Sequence, residues 1–94
     1  MLQVQFVDSF DEAIAVANNT KYGLAAGLIS DNKDLFDEFV DRINAGVINF
    51  NSTTTGASGA FPFGGIGRSG NLRPAGFYAA DYCAWPKASI IKQL

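Results

Sequence analysis

The residues with the most chemical promise lie in one run, Phe61-Pro62-Phe63-Gly64-Gly65-Ile66-Gly67-Arg68-Ser69-Gly70-Asn71. Gly65 to Gly70 spells G-x-G-x-x-G, the pattern that lets backbone N–H groups meet a dinucleotide pyrophosphate inside a βαβ unit. That chemistry needs a strand before the run and a helix opening on it. Pro62 disfavours a central strand on one side, and Pro74 disrupts any helix begun at Gly70 on the other. No acidic residue follows Asp81, so the usual ribose contact is missing as well. The run is expected to be a loop that packs closely under a ligand or another strand, rather than a phosphate cradle.

A second candidate precedes it. Gly56-Ala57-Ser58-Gly59 offers flexible backbone N–H groups and a hydroxyl, which suits a carboxylate held in an anion nest. On residues alone it reads first as a surface loop. Cys83 is the single cysteine. It has no base near it in sequence and sits among Tyr82, Ala84 and Trp85, so a packed, inert thiol is expected. The chain has no histidine, which removes Ser-His-Asp and Cys-His catalysis and the commonest metal ligand from its own residues. A transition-metal site is not expected. Asp37 and Asp41 read as charges on a solvated helix face. The Asn18 and Asn51 sequons carry no meaning in a cytosolic protein.

Regular elements must position these loops. Leu2, Val4 and Phe6 alternate with polar residues and predict a first strand over residues 2–7. Ser9 and Glu12 form a capping box for a helix ending near Asn18 or Asn19. Leu24-Ala25-Ala26-Gly27-Leu28-Ile29 is an unbroken apolar run, as in a strand buried on both faces. Leu35, Phe36, Phe39, Val40 and Ile43 make a helical stripe that Gly46 is expected to stop. A strand over residues 46–51 follows. The pattern is α/β: a β-α-β-α-β order with a mostly parallel layer. Beyond it come a loop of about twenty residues, long enough to suggest function, one or two helical turns after Pro74, and a short strand at 87–92.

The composition fits this reading. The chain has 94 residues, 48% apolar, and a net charge of −2, enough for one small domain with a core. No basic stripe suggests nucleic acid. No run approaches a membrane span and no charged leader opens the chain, so it is expected in the cytoplasm.

Three stretches resemble one family in order. These are Ala17-Asn18-Asn19-Thr20-Lys21-Tyr22-Gly23-Leu24, Ala45-Gly46-Val47-Ile48-Asn49-Phe50-Asn51, and Pro62-Phe63-Gly64-Gly65 with Ser69-Gly70. They resemble the aldehyde dehydrogenase superfamily over essentially the whole chain. Thr55-Gly56-Ala57-Ser58, Gly70-Asn71-Leu72-Arg73-Pro74 and the tail from Tyr78 to Pro86 are most similar to the semialdehyde dehydrogenases of arginine catabolism. The resemblance implies that residues 1–86 are the C-terminal part of the catalytic domain and that 87–94 are an oligomerisation strand carrying Ile90 and Ile91. It implies that Phe63 lines the aldehyde tunnel and that Gly56, Ala57 and Ser58 grip the carboxylate end of a semialdehyde substrate. The parent reaction is thiolate attack on the aldehyde, hydride transfer to NAD, with NADP also open, and thioester hydrolysis. The nucleophilic cysteine, the general-base glutamate and the Rossmann domain would lie upstream, with the Glu-x-Phe-Gly-Pro motif just before Met1. Cys83 does not match the nucleophile. The 94 residues alone are therefore expected to bind no cofactor and oxidise no aldehyde, and partnership is expected with a like subunit through the last strand. The alternative is a stand-alone truncated paralogue acting as a non-catalytic binding or assembly module.

Overall fold

The computed structural model describes residues 1–72 and 74–94. Arg73, within one stretch that carries the resemblance, lies outside the described residues. Helix α1 (Phe10–Asn18), strand β1 (Ala25–Leu28), helix α2 (Lys33–Arg42) and strand β2 (Val47–Phe50) come first. After them come β3 (Pro62–Phe63), a 3-10 turn (Gly67–Ser69), β4 (Ala75–Gly76) and helix α3 (Ala79–Tyr82). β1 and β2 run parallel, pairing Ala25 with Val47 through Leu28 with Phe50, and α2 crosses between them. β3 and β4 are antiparallel, pairing Pro62 with Gly76 and Phe63 with Ala75. The α/β class is as expected.

The helix ends follow from their caps. Ser9 Oγ accepts from the Glu12 N–H at 3.1 Å. Glu12 Oε2 reaches back to the N–H of Asp8 at 2.9 Å, one residue further than the reciprocal contact to the cap N–H in the usual capping box. Asn32 Oδ1 accepts from the N–H groups of Asp34 and Leu35 and starts α2. That helix stops well before Gly46. Asn18, at the end of α1, donates from Nδ2 to the Arg42 carbonyl at 2.8 Å and accepts from the Asn44 N–H at 2.8 Å. A side chain from the other helix thus supplies the cap expected of Gly46. Arg42 also bridges Asp11 and Glu38. Hydrogen bonds to Asp11 first and Glu38 second raise its already alkaline pKa. The stabilisation is fully present below the unfolded value and is lost only as pH climbs through the higher folded one.

Ile14, Phe39 and Ile43 are the buried apolar residues, with Phe10, Ala26, Leu28, Phe36 and Ile48 packed around them. Phe36 stacks on Phe50 with centroids 4.6 Å apart. Both helices therefore cover one face of the β1–β2 ribbon, and the long loop is left to the other.

Three expectations are corrected. Residues 2–7 form no strand, and Leu2, Val4 and Phe6 are exposed. Residues 87–92 form none either, with Ile90 92% and Ile91 87% exposed. The run Leu24–Ile29 is not buried on both faces: β1 alternates between exposed and half-buried residues. One cause explains the first two, and the third follows from the helices covering only one face. A strand needs a neighbour to take its N–H and C=O groups, and among the described residues β1 and β2 have only each other. The observed order is thus α-β-α-β with a small antiparallel pair, not β-α-β-α-β. A compact protein of 10.0 kDa exposes about 5,200 Å²; this chain exposes 7986 Å² and extends over 73 × 27 × 21 Å. Among the described residues no helix is long and apolar enough to cross a membrane.

Candidate functional site

The glycine run is seated on the start of the parallel ribbon by its backbone. Ile66 N–H donates to the Gly23 carbonyl at 3.1 Å, which also accepts from Gly46 N–H at 3.1 Å. Arg68 N–H donates to the Lys21 carbonyl at 2.7 Å, and Ser69 Oγ accepts from Gly23 N–H at 3.1 Å. Such backbone contact requires missing side chains. A Cβ on Gly46 would lie 1.6 Å from the Gly64 carbonyl oxygen. Gly67 has φ +59°, and a Cβ there would stand 2.5 Å from the Lys21 oxygen. Two more N–H groups of the turn are used internally, Ser69 to Ile66 and Gly70 to Gly67. A phosphate would find the Ile66, Arg68, Ser69 and Gly70 donors occupied and a three-residue 3-10 turn in place of a helix. The G-x-G-x-x-G run does not fit a dinucleotide, and the packed-loop expectation matches what is observed.

Seating this run aims the residues before it across the open face of β2. Gly56, Ala57 and Ser58 meet Phe61, Pro62 and Phe63 around a cleft of about 390 Å³ whose floor is Gly46 to Asn49. Two segments singled out separately in the sequence thus share one cavity. Phe63 is 37% exposed, at the boundary between cleft and solvent.

The 56–58 wall has donors to offer. Among the described residues the N–H groups of Gly56, Ala57 and Ser58 have no hydrogen-bond partner. Ser58 closes a turn: its carbonyl accepts from Phe61 N–H at 3.1 Å and its Oγ from Ala60 N–H at 3.2 Å. A hydroxyl that accepts still has its own hydrogen to donate. Successive N–H groups beside a hydroxyl suit an anion with two oxygens.

Two asparagines fix where this wall starts. Asn51 has φ +50°, and its side chain accepts from Ser30 N–H and donates to the Ser30 carbonyl, both at 2.8 Å. It prolongs the ribbon by one side-chain rung and turns the chain into the loop. Asn49 donates from Nδ2 to the carbonyls of Thr53 and Thr55. Neither was singled out for such a role in the sequence. The available signal was polar asparagine in a strand otherwise made of Val47, Ile48 and Phe50, where that residue type is depleted.

Cys83 departs from expectation. It is exposed, because α3 is four residues long and few other residues of this chain cover it. Among the described residues no group of His, Cys, Asp or Glu could hold a metal ion.

Comparison with known proteins gives consistent results. The model of the aldehyde dehydrogenase family matches residues 1–88. The N-succinylglutamate 5-semialdehyde dehydrogenase 2 of Caulobacter vibrioides is 63% identical over 90 residues, 96% of this chain and 19% of that protein. Among solved structures, aldehyde dehydrogenase 21 of Physcomitrella patens in complex with the reaction product succinate superposes with a TM-score of 0.72 at 28% identity, covering 80% of this chain and 16% of that one. The NAD+ complex of an aldehyde dehydrogenase from Bacillus cereus gives 0.72 at 39% identity, over 80% and 15%. The chain spans about a fifth of the length of the curated relatives it matches.

Proposed function

The chain belongs to the aldehyde dehydrogenase family, and from that premise we propose that it is the substrate-recognition segment of a succinylglutamic semialdehyde dehydrogenase of arginine catabolism. The observation that carries the proposal is the shared cleft of Gly56, Ala57, Ser58 and Phe63, in a chain 63% identical to a protein named for that substrate. The N–H groups of Gly56, Ala57 and Ser58 and the Ser58 hydroxyl bind a carboxylate of the substrate. Each charge-assisted hydrogen bond contributes about 1.5–3 kcal/mol. Phe63, at the opposite wall, gives the aldehyde end an apolar passage that limits entry of water.

In this reading residues 1–86 are the C-terminal part of the catalytic domain and 87–94 form a strand that adds to a like subunit. The exposure of Ile90 and Ile91 supports that assignment, since exposed β-branched residues without a partner invite pairing. The enzyme acts in the cytoplasm. The thiolate, the general base and the NAD or NADP that accepts the hydride belong to other parts of the protein, consistent with the poor fit of the glycine run to a dinucleotide. This chain holds and aims the substrate.

The test uses the full-length protein with NAD, comparing succinylglutamic semialdehyde with a neutral analogue whose carboxylates are amides. We expect kcat/KM at least tenfold higher for the charged substrate, with the preference reduced about tenfold in Ser58→Ala, the worth of roughly one hydrogen bond to a charge. Equal efficiency for the two substrates would refute the reading.

A further inference from the structure

We infer that Asn49 is the positioning residue that sets the 56–58 wall against Phe63; its link to substrate choice rests on the reading of Gly56 to Ser58 as the carboxylate grip. Asn49 stands on β2 in the floor of the cleft. Its Nδ2 donates to the Thr53 carbonyl and, at 3.3 Å, to the Thr55 carbonyl. Both acceptors are carbonyls, so only the amide nitrogen can face them. One side chain thereby folds the segment 53–55 back over the strand, and the last residue it holds is the one before Gly56. The hydroxyls of Thr53 and Thr55 lie 2.7 Å apart and close the same turn from its other side.

Beyond that point the wall is tied at its far end, where Ser58 accepts from the N–H groups of Phe61 and Ala60. A Cβ at Gly56 or Gly59 would meet nothing within 4 Å, and the Gly56 to Ser58 N–H groups have no partner among the described residues. The start of the wall takes its position over the cleft floor from Asn49 through Thr55, while its far end follows Phe61. The two carbonyls it holds are exposed, so water replaces the amide when it is removed and the global cost is small. What is lost is placement. That separates a positioning role from a stabilising one.

The experiment compares the full-length wild type with Asn49→Leu, close in shape and without a donor, and with Asn49→Ser, which keeps one shorter donor. Three readouts are taken: the initial rate of subtilisin cleavage within 52–60, the melting temperature, and the KM and kcat for the carboxylate-ended semialdehyde. In Asn49→Leu we expect cleavage about tenfold faster and KM about tenfold higher, the equivalent of one net hydrogen bond, with kcat within about twofold and the melting temperature unmoved. Asn49→Ser is expected to fall between. Unchanged cleavage and KM in both variants would overturn the inference, as would equal losses in kcat and KM alongside a lowered melting temperature, which mark a merely structural role. A wild type without preference for the charged substrate over its neutral amide refutes the grip instead, and the cleavage rates then decide Asn49's part alone.

Discussion

The replacement Gly46→Ala tests how the glycine run is held. Its new Cβ would stand 1.6 Å from the Gly64 carbonyl oxygen, 2.7 Å from the Gly64 carbonyl carbon and 3.0 Å from Gly65 Cα. All three are backbone atoms, so no side chain can swing aside. The run must lift. Lifting breaks the bonds from Ile66 N–H to Gly23, from Arg68 N–H to Lys21 and from Gly23 N–H to Ser69. At about 1 kcal/mol net each, the cost is about 3 kcal/mol, the upper end of what overpacking usually does. At 1.4 kcal/mol per factor of ten, the opened population of the run rises on the order of a hundredfold. Amide hydrogen exchange on the full-length protein reads this directly, because the Ile66 and Arg68 amides are protected by those bonds. We expect both to exchange about a hundredfold faster in Gly46→Ala. Gly59→Ala is the control: its Cβ meets nothing within 4 Å, and a change within about ±0.5 kcal/mol is expected. Unaltered protection at Ile66 and Arg68 in Gly46→Ala would show that the run is not seated on Gly23 and Gly46, and the account of the cleft would fall with it.

Other outcomes follow from the same contacts. Asn18→Ala leaves the Arg42 carbonyl and the Asn44 N–H without the partner that ends α2, and should cost about 1–3 kcal/mol in urea denaturation of the full-length protein. Phe39→Ala empties one of the few buried sites between helices and ribbon, for an expected loss of about 3–5 kcal/mol in the same assay. Phe63→Ala, at a half-open position on the cleft wall, should lower kcat/KM for the semialdehyde about tenfold or more while changing urea stability by under about 1 kcal/mol; a loss of stability without a kinetic effect would assign Phe63 to packing.

The parts legible in the sequence were those set by local chemistry. Ser9 with Glu12 marks a helix start because a cap is read within four residues. The stripe of Phe36, Phe39 and Ile43 marks a buried face because 3.6-residue spacing does not depend on the rest of the fold. Pro62 and Pro74 spoke against a strand-loop-helix setting for the glycine run, and it closes in a 3-10 turn rather than a helix, since proline's effect is also local. Long-range pairing was not legible. The alternation of Leu2, Val4 and Phe6 encodes a strand, but no strand of this chain lies beside it. The same absence exposes Ile90, Ile91 and Cys83. Gly46 illustrates a third kind of difficulty: its sequence position fits a helix stop, and only the fold reveals the carbonyl of Gly64 pressed against it. The site was half legible. Gly56 to Ser58 and Phe63 were singled out, whereas the part played by Asn49 needed the turn over β2 to be seen.

The Gly23 carbonyl has a consequence of its own. Its two lone pairs are both engaged, one by Gly46 N–H and one by Ile66 N–H. Gly46 begins the floor of the cleft, and the run containing Ile66 carries the Pro62–Phe63 wall. The floor and the Pro62–Phe63 wall therefore meet at one main-chain atom rather than through side-chain packing. Substitutions at Ala57, Ser58 or Phe63 can change what the cleft recognises without changing how the Pro62–Phe63 wall stands over the floor. A scaffold of that kind can exchange one aldehyde for another while its frame stays fixed, and variation in substrate should be concentrated at positions such as 57, 58 and 63 rather than at 23, 46 or 66.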